Sequence, residues 1–329
     1  MTLSRPVVAF LLSLAALVSL PDSPRAEDLS KLPHIGLIGP GQPGSGPLGP
    51  AFFTAFARHG YVADKSVVFV AKGAQGQVER LPSLVDELVA SHVNVIISSS
   101  YPAAVAAKQH GGTTPIVLAL AADPVATHLV DGLARPGGNI TGLTEIATEL
   151  SAKRLQLLKE TVPSIHTVAV LWNEDDLAMT LRYRAAADVA PGLGVTIIPL
   201  GVRAPDDFDA AFAAMTKSPP DAILMVTDIL TNLNRRRIID FAAAHRLPSI
   251  FEYEAFAQDG GLMSYGPDLD DISDRVATLT DRILHGVKPA DLPIELPTRF
   301  RFAINLKTAK AIGVTVPQSI LARADDVIE

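Results

Sequence analysis

Short apolar runs alternate with helix-like segments along most of the chain, and this alternation limits the fold more than any other feature. The runs HIGLIG (34–39), VNVIIS (93–98) and PIVLAL (115–120) have the length and composition of buried parallel strands. Helical patterns lie between them. Strands that alternate with helices predict βαβ units and a doubly wound parallel sheet.

The second half of the chain repeats this order. The runs TVAVLW (167–172), DAILMV (221–226) and PSIFEY (248–253) are again separated by helical patterns. A chain of 329 residues, 48% of them hydrophobic, is long and apolar enough for two domains. We therefore predict an α/β fold of two doubly wound parallel-sheet lobes.

The segment ARPGGNITGL (134–143) is the expected crossover between the lobes, because Pro-Gly-Gly precedes a short β-branched strand. The chain after residue 253 is longer than the second lobe needs, which predicts two further crossings. We expect residues 31–143 and 264–291 to form lobe 1, and residues 144–263 and 292–329 to form lobe 2.

The N-terminus resembles an export signal. Arg5 precedes an apolar run from Val7 to Leu20, and a polar, proline-rich stretch ends at Ala26. This pattern predicts a signal peptide over residues 1–26. The run is shorter than the about 20 residues that a membrane span needs, and an uncleaved anchor is the alternative. With no cysteine in the chain, neither a lipoprotein anchor nor a disulfide is expected.

Several classes of function are disfavoured by the sequence. The net charge of −7 argues against a nucleic-acid partner. The glycine-rich stretch 39–50 lacks the GK[ST] of a phosphate loop, and the eight histidines lack zinc-type spacing. We expect no metal, no cofactor and no catalytic residue. Glu252 and Glu254, two residues apart on a strand, suggest an acid/base pair as an alternative, against the simpler interpretation of one polar strand end.

In open parallel sheets, ligands bind beyond the carboxyl ends of the strands. At these positions the sequence places the candidate ligand-binding residues Pro40, Gly41, Gln42, Ser99, Ser100, Tyr101, Ala122 and Asp123 in lobe 1, and Trp172, Asn173, Asp228, Tyr253 and Glu254 in lobe 2.

Three of these candidate roles have a simpler structural alternative. The hydroxyls of Ser99 and Ser100 beside a helix N-terminus favour a carboxylate, although N-capping explains them as well. Asp228 is placed to receive an ammonium group or to cap a helix. Trp172 offers a flat apolar wall to a ligand, or belongs to the core or the hinge.

The motifs ARPGGN, GGLMSYGP and INLKTAKAIG, and long stretches around them after residue 31, resemble the ABC transporter substrate-binding protein family related to the tryptophan/tyrosine-type binding proteins. This resemblance implies a type I periplasmic-binding-protein fold with a three-segment hinge that closes over a ligand. It also implies, as partners, the permease and ATPase subunits of an inner-membrane importer. The loop that usually reads Ser-Gly-Thr-Pro is SSYP (99–102) here, which leaves ligand identity open.

The predicted function is therefore capture, in the periplasm, of a small solute for an ABC importer, by a monomer that is not an enzyme. An amino acid, aromatic or not, or a related small carboxylate is the expected ligand. A ligand sensor for a receptor kinase is one alternative, and a periplasmic hydrolase that uses the two glutamates is another.

Overall fold

The computed structural model describes residues 29–44 and 46–329, and thirteen β-strands form within them. The signal peptide expected over residues 1–26 lies outside the described residues. In chain order the strands are β1 (His34–Gly39), β2 (Val68–Gly73), β3 (Val95–Ser98), β4 (Ile116–Leu118), β5 (Ile140–Leu143), β6 (Thr167–Asn173), β7 (Thr196–Val202), β8 (Ala222–Met225), β9 (Ser249–Phe251), β10 (Met263–Pro267), β11 (Ile294–Glu295), β12 (Phe300–Asn305) and β13 (Asp326–Ile328).

Twelve α-helices connect or follow these strands in the same part of the chain. They are α1 (Pro50–Arg58), α2 (Leu81–Ala90), α3 (Tyr101–His110), α4 (Ala147–Thr161), α5 (Leu177–Val189), α6 (Asp207–Lys217), α7 (Ile229–Leu233), α8 (Arg235–Ala244), α9 (Glu254–Gln258), α10 (Leu269–Leu284), α11 (Leu306–Ile312) and α12 (Gln318–Leu321).

The strands form two sheets with the same internal order. The first runs β11-β5-β4-β3-β1-β2, with every neighbouring pair parallel. The second runs β13-β12-β10-β9-β8-β6-β7 and is parallel except for the antiparallel pair β10–β12. The sequence β2-β1-β3-β4-β5 in one sheet corresponds to β7-β6-β8-β9-β10 in the other. The predicted α/β class with two doubly wound sheets is confirmed.

The chain passes between the sheets three times in the described residues. The first passage follows β5, which ends at Leu143. The second follows β10, which ends at Pro267 in the second sheet, and the third follows β11, which pairs with β5 in the first. Both later passages lie a few residues beyond the expected boundaries at 264 and 292. Strand β11 is only two residues long and has no periodicity that marks its sheet.

Each sheet is buried between helices on both faces, which explains its continuous apolar runs. All four residues of β3 and all four of β8 are buried. Helix α10 packs on the first sheet beside α1, through Ile272, Val276 and Leu279. The polar residues that follow the strands are therefore left at the sheet ends, where the carboxyl ends of β1, β3 and β4 face those of β6, β8 and β9.

Candidate ligand-binding site

A cavity of about 630 Å³ lies between the carboxyl ends of the two sheets. Its volume is in the range of sites for small molecules. Loops after strands of both sheets line it, so a ligand inside would contact both lobes. Ten of the thirteen predicted residues line this cavity: Pro40, Gly41, Gln42, Ser99, Ser100, Tyr101, Ala122, Asn173, Asp228 and Tyr253.

Three predicted residues lie elsewhere. Trp172 is buried in the core of the second lobe, and its ring stacks on Tyr183 of α5 with centroids 3.8 Å apart. Its side chain points to that face because consecutive strand residues alternate. The Asp123 carboxylate accepts hydrogen bonds from the backbone of the next turn. Glu254 begins α9 and accepts a hydrogen bond from Gln258.

The lobe 1 hydroxyls have local partners as well as a place at the cavity. Ser100 is the N-cap of α3, and its Oγ accepts a hydrogen bond from the Ala103 amide at 3.2 Å. Ser99 Oγ donates to the Ile38 carbonyl at 3.4 Å. The capping interpretation of Ser100 is therefore correct, and any contact to a ligand is additional to it.

Asp228 is likewise an N-cap, and it forms a reciprocal capping box with Thr231 at the start of α7. Its second oxygen, Oδ2, accepts a hydrogen bond from Asn173 Nδ2 at 2.7 Å. Both oxygens are thus held by the protein while the residue lines the cavity. Each carboxylate oxygen has a second lone pair, so this arrangement leaves room for a ligand donor.

Asp176 is a cavity residue that the sequence analysis missed. It caps α5 through Oδ1, which accepts hydrogen bonds from the Ala178 and Met179 amides at 2.8 and 3.3 Å. Burial, followed by the charge of Asp228, raises its pKa to about 6, against these hydrogen bonds and the charge of Arg182.

Tyr101, at the start of α3, lines the same cavity as Asp176. Its ring packs against the apolar cores of both lobes. Burial, followed by the charge of Asp176, raises the pKa of the phenol. The phenol therefore stays protonated near neutral pH and adds no charge to the site.

A buried chain of charges lies beneath the cavity. Arg182 Nη2 binds Glu145 Oε2 at 2.5 Å, and Arg182 Nη1 binds Glu252 Oε2 at 3.1 Å. Glu252 also binds Arg154 at 2.8 Å, and these side chains are almost entirely buried. Glu252 is therefore paired with two arginines, whereas Glu254 lies at the start of α9. The geometry does not bring the two carboxylates together as an acid/base pair.

Glu145 connects the two lobes at the first passage of the chain. Its carboxylate accepts a hydrogen bond from the Ala122 amide in lobe 1, at 2.9 Å, and from the Tyr253 hydroxyl in lobe 2, at 3.2 Å. Burial raises the pKa of Glu145, and the charge of Arg182 opposes that effect. The adjacent Ile146 and Ala122 have positive φ values of 42° and 60°, which are uncommon outside glycine. Two uncommon backbone conformations and a carboxylate shared by both lobes therefore lie close together just after β5, where the chain first passes between the lobes.

Comparison with known proteins gives the family. The model of a family described as ABC transporter substrate binding protein matches residues 51–328. The chain belongs to this family. A relative named tyrosine-binding protein, from Clostridioides difficile (strain R20291), is 23% identical over 263 residues, which cover 80% of this chain and 75% of the relative.

Solved structures show the same fold. A conserved domain protein from Vibrio cholerae O1 biovar eltor has a TM-score of 0.83, with 23% identity, and covers 90% of this chain and 100% of its own. An ABC domain from Streptococcus pneumonia in complex with L-Trp has a TM-score of 0.81 at the same identity and coverage. These likenesses show a type I periplasmic-binding-protein fold.

The two lobes of this substrate-binding protein also meet across the mouth of the cavity. Gly76 lies after β2, with a φ of 86°, and a Cβ placed on it would stand 3.2 Å from Leu233 Cδ1 of α7. Leu233 is otherwise 64% exposed. A side chain at position 76 would be strained by the backbone and pressed against the opposite lobe. The absence of a side chain there permits this close approach.

The sequence does contain a signal for the missed residues. Arg182 lies between Ala178 and Ala186 on the buried stripe of α5, and Arg154 lies between Leu150 and Leu158 on that of α4. A cation in an apolar stripe requires a buried anion. That requirement predicts a buried anionic partner for each arginine, but it does not identify Glu145 and Glu252 as those partners.

Proposed function

We propose that this protein captures a small solute between its two lobes and delivers it to the permease and ATPase of an ABC importer. The observation that carries the proposal is the cavity between the carboxyl ends of the two sheets, with walls from both lobes. Membership of the substrate-binding family supports the same role. A ligand that contacts both lobes stabilises the closed arrangement, and the permease recognises this closed, ligand-bound form.

The first candidate for the ligand is an amino acid with an apolar or aromatic side chain, and a related small carboxylate is the second. Hydroxyls of Ser99 and Ser100 line one side of the cavity, and carboxylates of Asp176 and Asp228 line the other. A relative is named for tyrosine, and a solved structure with this fold holds L-Trp. This polarity suits an ammonium group facing lobe 2.

The proposed role involves no chemical reaction. Glu252 is held by Arg154 and Arg182, and the oxygens of Asp228 are held by a helix cap and by Asn173.

We further propose that the protein acts as a monomer in the periplasm after removal of residues 1–26. Within residues 29–44 and 46–329, no helix has both the length and the hydropathy to cross a membrane.

A thermal-shift screen of the purified protein against amino acids, aromatic acids, sugars and polyamines tests the proposal. A ligand at a hundred times its dissociation constant adds about 2.7 kcal/mol of stability. We expect at least one such solute, recovered unchanged by mass spectrometry after denaturation. Conversion of the bound solute during incubation would contradict a binding-only role, and no stabilisation by any class would contradict solute capture.

A further inference from the structure

Two aspartates of this protein cap helices in nearly the same way. Asp268 Oδ1 accepts hydrogen bonds from the Asp270 and Asp271 amides at 2.9 and 3.4 Å, and Asp176 Oδ1 caps α5 with closely similar distances. Asp268 is 9% exposed and Asp176 is 8% exposed. The two sites therefore form a matched pair within one chain.

The second oxygen distinguishes the two caps. Asp268 Oδ2 lies 3.3 Å from the guanidinium of Arg301, which balances its charge. Asp176 Oδ2 accepts no hydrogen bond and forms no ion pair with any residue that the structure describes, and Asp176 lines the cavity. Asp268 thus has a cation beside its second oxygen, whereas Asp176 has no such partner and lines the cavity.

No basic residue of the described cavity wall forms an ion pair with Asp176, although the more distant charge of Arg182 partly opposes the rise of its pKa. Lys72 and Arg182 are the basic residues among the described lining. Lys72 binds Glu87 at 2.5 Å, and Arg182 is shared by Glu145 and Glu252. The neighbouring carboxylate of Asp228 adds a second negative charge at the same wall. A buried carboxylate that has no ion-pair partner is unfavourable, and a positively charged group beside it relieves the cost.

We propose that the ligand's obligatory group is a protonated amine held by Asp176 together with Asp228, and that a ligand carboxylate is dispensable. The inference rests on the proposed function and narrows its ligand class to amines with an apolar body. A carboxylate would meet no unpaired cation in the described wall, because Lys72 and Arg182 already hold carboxylates of the protein. Repulsion from two carboxylates excludes an acid that lacks the amine.

The remaining walls of the cavity fit an apolar body. They are formed largely by aliphatic side chains, among them Leu48, Leu81, Val105, Leu120 and Met179. Burial of the apolar part of the ligand contributes affinity without fixing an orientation, whereas the amine fixes the orientation of the ligand and makes binding selective. Arylalkylamines, which carry a protonated amine on a short chain attached to an aromatic ring, combine the two properties in a molecule of suitable size.

Calorimetric titration with three probes that share an indole ring tests this inference. Tryptamine carries only the amine, L-tryptophan carries both groups, and indole-3-propionate carries only the carboxylate. We expect tryptamine to bind within tenfold of L-tryptophan, and indole-3-propionate at least a hundredfold more weakly than tryptamine. Tyramine, L-tyrosine and 3-(4-hydroxyphenyl)propionate repeat the comparison with a smaller ring.

The variant Asp176→Asn identifies the residue responsible. Asn is as good an N-cap as Asp, so the helix start is retained while the charge is removed. We expect the variant to bind the tighter amine at least tenfold more weakly than the unmodified protein. The matched control Asp268→Asn removes the charge of the equivalent cap outside the cavity, and its amine affinity should stay within twofold.

The inference would be overturned by amines that bind more than tenfold more weakly than the amino acids, by acids that bind as well as the amines, or by an Asp176→Asn affinity equal to that of the control. Failure of both amines to bind overturns it as well. In each case the proposed function is judged separately, because a sugar or an acid that stabilises the protein in the thermal screen would preserve solute capture while excluding this ligand class.

Discussion

Replacing Asp176 by Asn should make the ligand-free protein more stable at neutral pH, although the residue lines the candidate site. On folding, the pKa of this carboxyl rises from 3.8 to about 6, with burial as the largest cause. A carboxyl whose pKa is raised by folding holds its proton more tightly in the folded state. Ionising it therefore lowers the unfolding free energy, with no loss well below pH 3.8 and the full loss above about pH 6.

The magnitude follows from the size of the pKa change. About two pKa units correspond to about 3 kcal/mol at pH 7.5, and to less than about 1 kcal/mol at pH 4. Asn retains the oxygen that accepts the Ala178 and Met179 amides, so the cap itself is conserved. We expect Asp176→Asn to gain about 1–3 kcal/mol at pH 7.5, and most of this gain to disappear at pH 4.

Urea unfolding of the ligand-free protein at the two pH values measures this gain, and Asp268→Asn is the control. The Asp268 carboxylate faces Arg301, so removal of its charge should lower stability slightly, by at most about 1 kcal/mol. An Asp176→Asn variant that is less stable than the unmodified protein at pH 7.5 would refute the reasoning. So would a gain of equal size at both pH values.

Other consequences concern the buried charges, the titration of the site and its closure. Glu252→Gln should lower the unfolding free energy in urea by about 3–5 kcal/mol, because buried Arg154 loses its anion and Arg182 loses one of its two. Glu254→Gln should change it by no more than about 0.5 kcal/mol, and equal effects of the two variants would contradict the buried ion pairs. Amine affinity should fall about tenfold per pH unit below pH 6 as Asp176 becomes protonated, and a flat calorimetric profile between pH 5 and 7.5 would exclude its role. Gly76→Ala should weaken binding severalfold, and adding Leu233→Ala should restore part of the loss; equal affinities in both variants would show that the mouth contact is irrelevant.

The sequence was sufficient for much of the fold because both sheets are covered by helices. Their strands therefore appear as continuous apolar runs, such as HIGLIG and DAILMV, and their order fixes the doubly wound arrangement. The two-residue strand β11 has no such signal, and its place depends on pairing with β5. The later passages between the lobes were therefore placed slightly too early.

The rule that ligands lie beyond the carboxyl ends of parallel strands located most of the cavity wall. It failed for Trp172, because a strand's last residues alternate between faces and this ring points into the core. It also missed Asp176, which lies three residues beyond the end of β6 and enters the wall through the turn that starts α5. The pairing of Arg182 with Glu145 and Glu252 joins distant segments, which one sequence does not specify.

Small-angle X-ray scattering with and without a saturating ligand tests the central claim, capture of a solute by closure of two lobes, most directly. The ligand is the tightest solute from the thermal screen, at a concentration at least a hundred times its dissociation constant. We predict a smaller radius of gyration in the bound protein, because the ligand holds together the carboxyl ends of both sheets. An unchanged radius at demonstrated saturation would contradict closure.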